Sequence, residues 1–161
     1  MSEKETVSIK ADPSQLRGVF AALKNLEKEA STDLKTKVTA ISAFTGTKIQ
    51  AAASSAPFSA QSQRVAQTVR PNKDKIPNIT IGGSKARFSG GAVSGQVLFG
   101  NEFGSENRNF NGGRRFPIMS PPLNGGNEGY WIFPTLRKEQ PAITQAWIAA
   151  VEGVLNGWSK G

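Results

Sequence analysis

The stretch Asp12–Pro57, DPSQLRGVFAALKNLEKEASTDLKTKVTAISAFTGTKIQAAASSAP, decides the architecture. Asp12 can cap free amides, Pro13 suits a first helical position, and Gln15 sits where a capping box reaches back. Apolar residues then recur at Leu16, Val19, Phe20, Leu23, Leu26, Ala30, Leu34, Val38, Ile41 and Phe44. Steps of three and four mark one face of an amphipathic helix, and Pro57 ends it. An unbroken helix over this stretch would run on the order of 60 Å, against roughly 30 Å for a compact domain of this size. The helix therefore either breaks, near Ser31-Thr32 or Gly46, or reaches past its own domain to neighbours.

Working outward, Phe58–Arg70 reads as a short helix closed by Pro71, and Asn72–Pro77 as a charged loop. Asn78-Ile-Thr-Ile-Gly82 alternates like a strand, and Lys85-Ala-Arg-Phe-Ser89 would return beside it as a hairpin turned at Gly82-Gly83. Ala92–Phe99 fits a third strand or a short helix. Residues 104–129 are rich in Gly and Asn, with Phe110 and Phe116 among few apolar anchors, and read as an extended loop that orders against a partner. Tyr130-Trp-Ile-Phe133 reads as an aromatic strand end. A terminal helix follows with Ile143, Trp147, Ile148, Val151, Val154, Leu155 and Trp158 on one face.

The expected fold is a single α+β domain over 1–161. It comprises a flexible arm (1–11), the long helix (12–56), a basic segment with a hairpin (57–103), the loop (104–129) and the aromatic strand end with its helix (130–161). That last helix is expected to pack on the sheet.

Composition narrows the chemistry. The 161 residues include no Cys and no His, which removes thiolates, the commonest metal ligand and the usual general base. No metal or cofactor is expected, and no enzymatic activity. Glu27, Glu29, Asp33, Glu139 and Glu152 fall on expected solvent faces. Glu102 differs, since it lies between Gly100 and Gly104; capping or an ion pair across an interface is its expected role. Gly90-Gly-Ala-Val-Ser-Gly95 lacks the Lys-Ser/Thr ending of a phosphate loop. Helical spacing makes Trp147 and Trp158 core residues and leaves Trp131 open to a contact role.

Net charge is +8, and it is local. Residues 57–100 hold Arg64, Arg70, Lys73, Lys75, Lys85 and Arg87 against Asp74 alone. Such a segment suits nucleic acid or an acidic protein surface, or else is a solvated face. No run of 18 apolar residues is present, and the charged start Met1–Thr6 has no apolar segment behind it. Synthesis in the cytoplasm without a membrane span is expected.

The order of parts also resembles a known family. Ala56-Pro57, Glu102-Phe103-Gly104-Ser105 and Phe133-Pro134-Thr135-Leu136, set among a long helix, a basic hairpin and a terminal helix, are similar to the tail-completion and head–tail joining (neck) proteins of long-tailed bacteriophages. That family includes the minor tail protein Z of lambda-like phages. The resemblance implies a virion protein without catalytic activity. It would form a homo-oligomeric ring, expected as a hexamer, between the head connector and the tail tube, or else act as a tail terminator capping the tube. Expected partners are further copies of the chain, neighbouring connector and tail proteins, and genomic DNA contacted without sequence specificity. Glu102, Phe103, Phe110, Phe116 and Trp131 are the expected inter-subunit contacts, and the six basic residues the expected channel face. The other reading is a nonspecific nucleic-acid-binding protein using 64–87.

Overall fold

A computed structural model describes residues 6–8, 13–57, 59–85, 87–88, 90–104 and 128–159. The fold is α+β, as the sequence predicts. Helix α1 spans Pro13–Lys24, α2 Lys28–Ala52, α3 Ser59–Ala66, α4 Ser94–Phe103 and α5 Ile132–Trp158. Three short strands, β1 (Thr6–Ser8), β2 (Arg70–Pro71) and β3 (Asn78–Thr80), form an antiparallel sheet in the order β1-β3-β2.

The long helix does break, but at Asn25–Glu27 instead of Ser31-Thr32 or Gly46. The seal on that break comes from far along the chain. Lys75 Nζ donates to the Leu23 carbonyl at 2.9 Å. In a continuous helix that oxygen would accept from the N–H of Glu27, four residues on. Beyond the break, α2 buries Ala30, Leu34, Val38, Ser42, Thr45 and Ile49. The stripe drifts past Val38 onto Ser42 and Thr45, which leaves Phe44 facing outward at 57 % exposure.

α2 and α5 form the frame. The C-terminal part of α2 (Ile49) shares a cluster with Ile132 and Leu136 at the start of α5, together with Val65, Val69, Ile79, Ile81, Val97, Leu98 and Trp131. The N-terminal part (Leu34, Val38) shares a second cluster with Trp147, Val151 and Val154 further along α5. The two helices therefore run antiparallel through two apolar clusters. This corrects the expected seat of the C-terminal helix: α5 lies along α2, and it is α2 that meets β2 and β3. Ser42 Oγ fixes that meeting by accepting the Asn78 N–H at 3.0 Å.

The expected hairpin is also corrected. β3 pairs with β1 on one side, Val7 opposite Ile79, and with β2 on the other, Arg70 opposite Thr80. Both edges of β3 are taken, so Lys85–Ser89 has no edge to join. Part of the expected N-terminal arm, Thr6–Ser8, is one of those partners. Pro71 is tolerated because β2 is an edge strand, where its missing N–H is not needed inside the sheet. After β3, Gly82 turns at φ 83° and passes against Gly95 in α4, so close that a Cβ on Gly82 would lie 3.1 Å from the Gly95 Cα. Of residues 92–99, Ser94–Phe99 are helical, the short-helix alternative, while Val93 forms an isolated bridge with Arg87; Tyr130–Phe133 leads into α5 instead of ending a strand. Trp147 is core as expected, but Trp158 near the end of α5 is 42 % exposed. Among the described residues no helix is long and apolar enough to cross a membrane.

Leu34 is fully buried in the cluster that joins α1, α2 and α5. Leu34→Ala should cost about 2–5 kcal/mol through lost apolar burial and the cavity left behind. Urea unfolding followed by circular dichroism measures this.

Candidate functional site

The polar centre of the molecule lies where the end of α4 meets the start of α5. α5 begins with Trp131 at its N-cap position, whose own side chain makes no cap. The first turn of any helix leaves N–H groups without intrahelical partners. Here Glu102, in the last turn of α4, supplies the acceptors from some thirty residues away. Its Oε2 accepts the N–H of Trp131 at 3.1 Å and of Ile132 at 2.9 Å, and its Oε1 that of Phe133 at 2.8 Å. The Tyr130 N–H donates to the Glu102 carbonyl at 2.8 Å. An anion at a helix N-terminus is also favoured by the macrodipole.

Gly129 makes this approach sterically feasible. It sits at φ +85°, and a Cβ there would overlap Glu102 Oε1. Asn101 extends the network on the other side: its Oδ1 accepts from Ser62 Oγ at 2.8 Å and from Trp131 Nε1 at 3.0 Å, while its Nδ2 donates to Gln61 Oε1 at 3.0 Å. Helices α3, α4 and α5 are thereby tied through one buried asparagine. No buried side-chain nitrogen or oxygen among the described residues lacks a hydrogen-bond partner.

Glu102 is 1 % exposed, with both oxygens engaged by backbone amides. Burial raises its carboxyl above the usual carboxylate range; hydrogen bonds from the backbone of Ile132, Phe133, Trp131 and Tyr130 oppose that rise. Both carboxylate oxygens are engaged in holding a helix end.

Two of the expected inter-subunit contacts, Glu102 and Trp131, face inward. Glu102 does cap, but within its own chain, and Trp131 is buried beside it. Phe103 is half-buried, stacked on Phe99 at 6.1 Å between centroids and tilted against Phe133 at 5.4 Å. Phe99 is the outer end of that ladder, 47 % exposed. Phe110 and Phe116 lie outside the described residues.

The six basic residues do not act as one group. Lys75 is engaged at the end of α1. Arg70 turns back on its own backbone, its Nη1 donating to the carbonyls of Gln67 at 2.7 Å and Val69 at 2.8 Å. Lys73 and Lys85 are exposed. Arg64 and Arg87 are brought together: Arg64 Nη2 donates to the Arg87 carbonyl, and its guanidinium lies 4.6 Å from the centre of the Phe88 ring.

Asn101, Ser62 and Gly129 were not singled out by sequence reading. The signal available for them was adjacency, since Asn101 precedes Glu102 and Gly129 precedes the aromatic run; nothing in sequence pointed to Ser62. No family model, curated protein or solved structure matches this chain.

Glu102→Gln should destabilise the fold by about 1–3 kcal/mol, because an amide hydrogen replaces one of the two acceptors facing these donors. The pH dependence has a definite sign. The folded carboxyl holds its proton to higher pH than the unfolded one, so the folded state binds more protons just above the ordinary glutamate value of 4.5, and stability falls as pH rises through that window. The Gln variant should lose that slope, read from urea midpoints across acidic to neutral pH. Gly129→Ala should be at least as damaging as Glu102→Gln, since it combines a left-handed backbone with an overlap onto the carboxylate; the same midpoints compare the two.

Proposed function

We propose that this chain is a structural ring subunit at the head–tail junction of a long-tailed phage, joining the head connector to the tail tube around the DNA passage. The observation that carries the association is the outer face of α2. Ala40, Ala43, Phe44, Thr47 and Ala51 are all exposed there, with the Lys48 ammonium over the Phe44 ring, 5.1 Å from its centre. Small side chains flanking a large aromatic let a second surface approach a helix closely, and an exposed phenylalanine is a suitable anchor. A closed ring uses a heterologous contact, in which this face meets a different patch on the next copy. The exposed end of the Phe99–Phe103–Phe133 ladder is such a patch.

The location at a phage neck is supported by the ordered resemblance. Two of its motifs, Glu102-Phe103-Gly104 and Phe133-Pro134-Thr135-Leu136, are joined by the Glu102 carboxylate itself. The likeness thus falls on residues that build the architecture.

Phe44→Ser tests the reading. An exposed position should change stability by no more than about 0.5 kcal/mol, whereas ring formation, followed by sedimentation and negative-stain imaging, should be lost. Phage lacking the protein should accumulate separate heads and tails, and the Phe44→Ser chain should fail to rescue joining. A wild-type chain that stays monomeric at high concentration and is missing from virions would overturn the proposal.

A further inference from the structure

We infer that Arg64 and Arg87, braced around Phe88, form a contact for the phosphate backbone of double-stranded DNA. The contact begins with a tight turn. Arg87 and Val93 form an antiparallel bridge; within it the Phe88 N–H donates to the Ala92 carbonyl at 2.7 Å and the Gly91 N–H to the Phe88 carbonyl at 2.8 Å. Arg87 Nη1 closes on the Gly91 carbonyl at 2.7 Å. From α3, Arg64 stacks on Phe88 and donates to the Arg87 carbonyl. Each guanidinium is thus held by one described hydrogen bond, while an arginine carries five N–H donors in a planar fork. Both side chains are exposed.

Their charge is not neutralised within the described residues. Asp74 is the one acid between 57 and 100, and its Oδ1 accepts the Lys75 backbone N–H at 2.6 Å. The ion pair found among the described residues, Lys37 with Asp33, lies on α2.

The chemistry of the surface favours a polyanion backbone over an acidic protein. Protein partners draw most of their affinity from apolar anchors in desolvated pockets. Here the aromatic described at the site, Phe88, is covered by Arg64. Phosphate contacts require no such anchor, and a guanidinium matches a phosphate with two parallel N–H donors. Among the described residues the site carries no base-reading groove element, so the contact is expected to be blind to sequence.

This inference rests on the ring reading only for the occasion of meeting DNA; the binding itself is a property of the chain. The test is fluorescence anisotropy of a labelled 30-base-pair duplex with the full chain over a salt series. The dependence of log K on log salt should lose about two units of slope in R64Q/R87Q, near one per phosphate released. Affinity at low salt should fall at least tenfold. The exposed pair K28Q/K138Q removes the same charge elsewhere and should change the slope by less than half a unit. Arg87→Gln alone, which keeps the brace from Arg64, should give about half of the full effect. Lack of duplex binding at low salt, equal losses in both double variants, or tighter binding to polyglutamate than to the duplex would each overturn the inference. Sedimentation of the same samples separates the two proposals. Rings without DNA binding remove this one alone, and DNA binding without rings removes the ring.

Discussion

One carboxylate holds the end of the helix on which the architecture depends. α5 begins without a side-chain cap of its own, and the acceptors for its first amides come from Glu102 in α4. This places a chargeable group in the interior, where isolation from water is expensive unless hydrogen bonds replace hydration. Three backbone donors do so here, and Asn101 satisfies the indole of Trp131 next to it. Because α5 starts there and then runs the length of α2, the cap sets where both apolar clusters receive their side chains.

The second constraint is a lysine acting as a helix stop. Neither glycine nor proline marks Asn25–Glu27. Lys75 takes a carbonyl from the end of α1, its own carbonyl accepts the Trp147 indole N–H at 2.7 Å, and so one loop residue ties α1 to α5. Ties of this kind, in which a polar side chain from one element completes the backbone of another, recur at Ser42 and Glu102.

How much of this was legible in the sequence follows from the range of each interaction. The helix start near Pro13, a helix end before Pro57, an apolar face on α5 up to Val154 and a strand within Asn78–Gly82 are local signals that appear in the structure, with α2 closing already at Ala52 and the strand at Thr80. The break at Asn25 was not legible, because it is sealed by a residue some fifty positions away. The hairpin failed because pairing is decided by which edges are free, and β1 and β2 occupy both edges of β3. Phe44 looked like core by spacing, but Ser42 and Thr45 took the inward positions once β3 and its flanks packed against α2. Glu102 was legible as a cap and not as the cap of the next helix of its own chain, some thirty residues on. The basic segment was legible as charge, whereas its division into structural and outward-facing members needed coordinates.

The approach of Gly129 to Glu102, two residues before Gly104, has a consequence for how such a chain can vary. The two ends of residues 105–127 are joined by hydrogen bonds from 102 to 130–133, and those bonds lie outside the intervening stretch. The described hydrogen bonds between α4 and α5 use no residue from 105 to 127, and closing a loop costs only about 0.6 kcal/mol more for each doubling of its length. The join itself therefore sets no particular number of residues between these two glycines. This position is a natural port for insertion, where lineages could lengthen, shorten or exchange sequence while the helical frame stays the same.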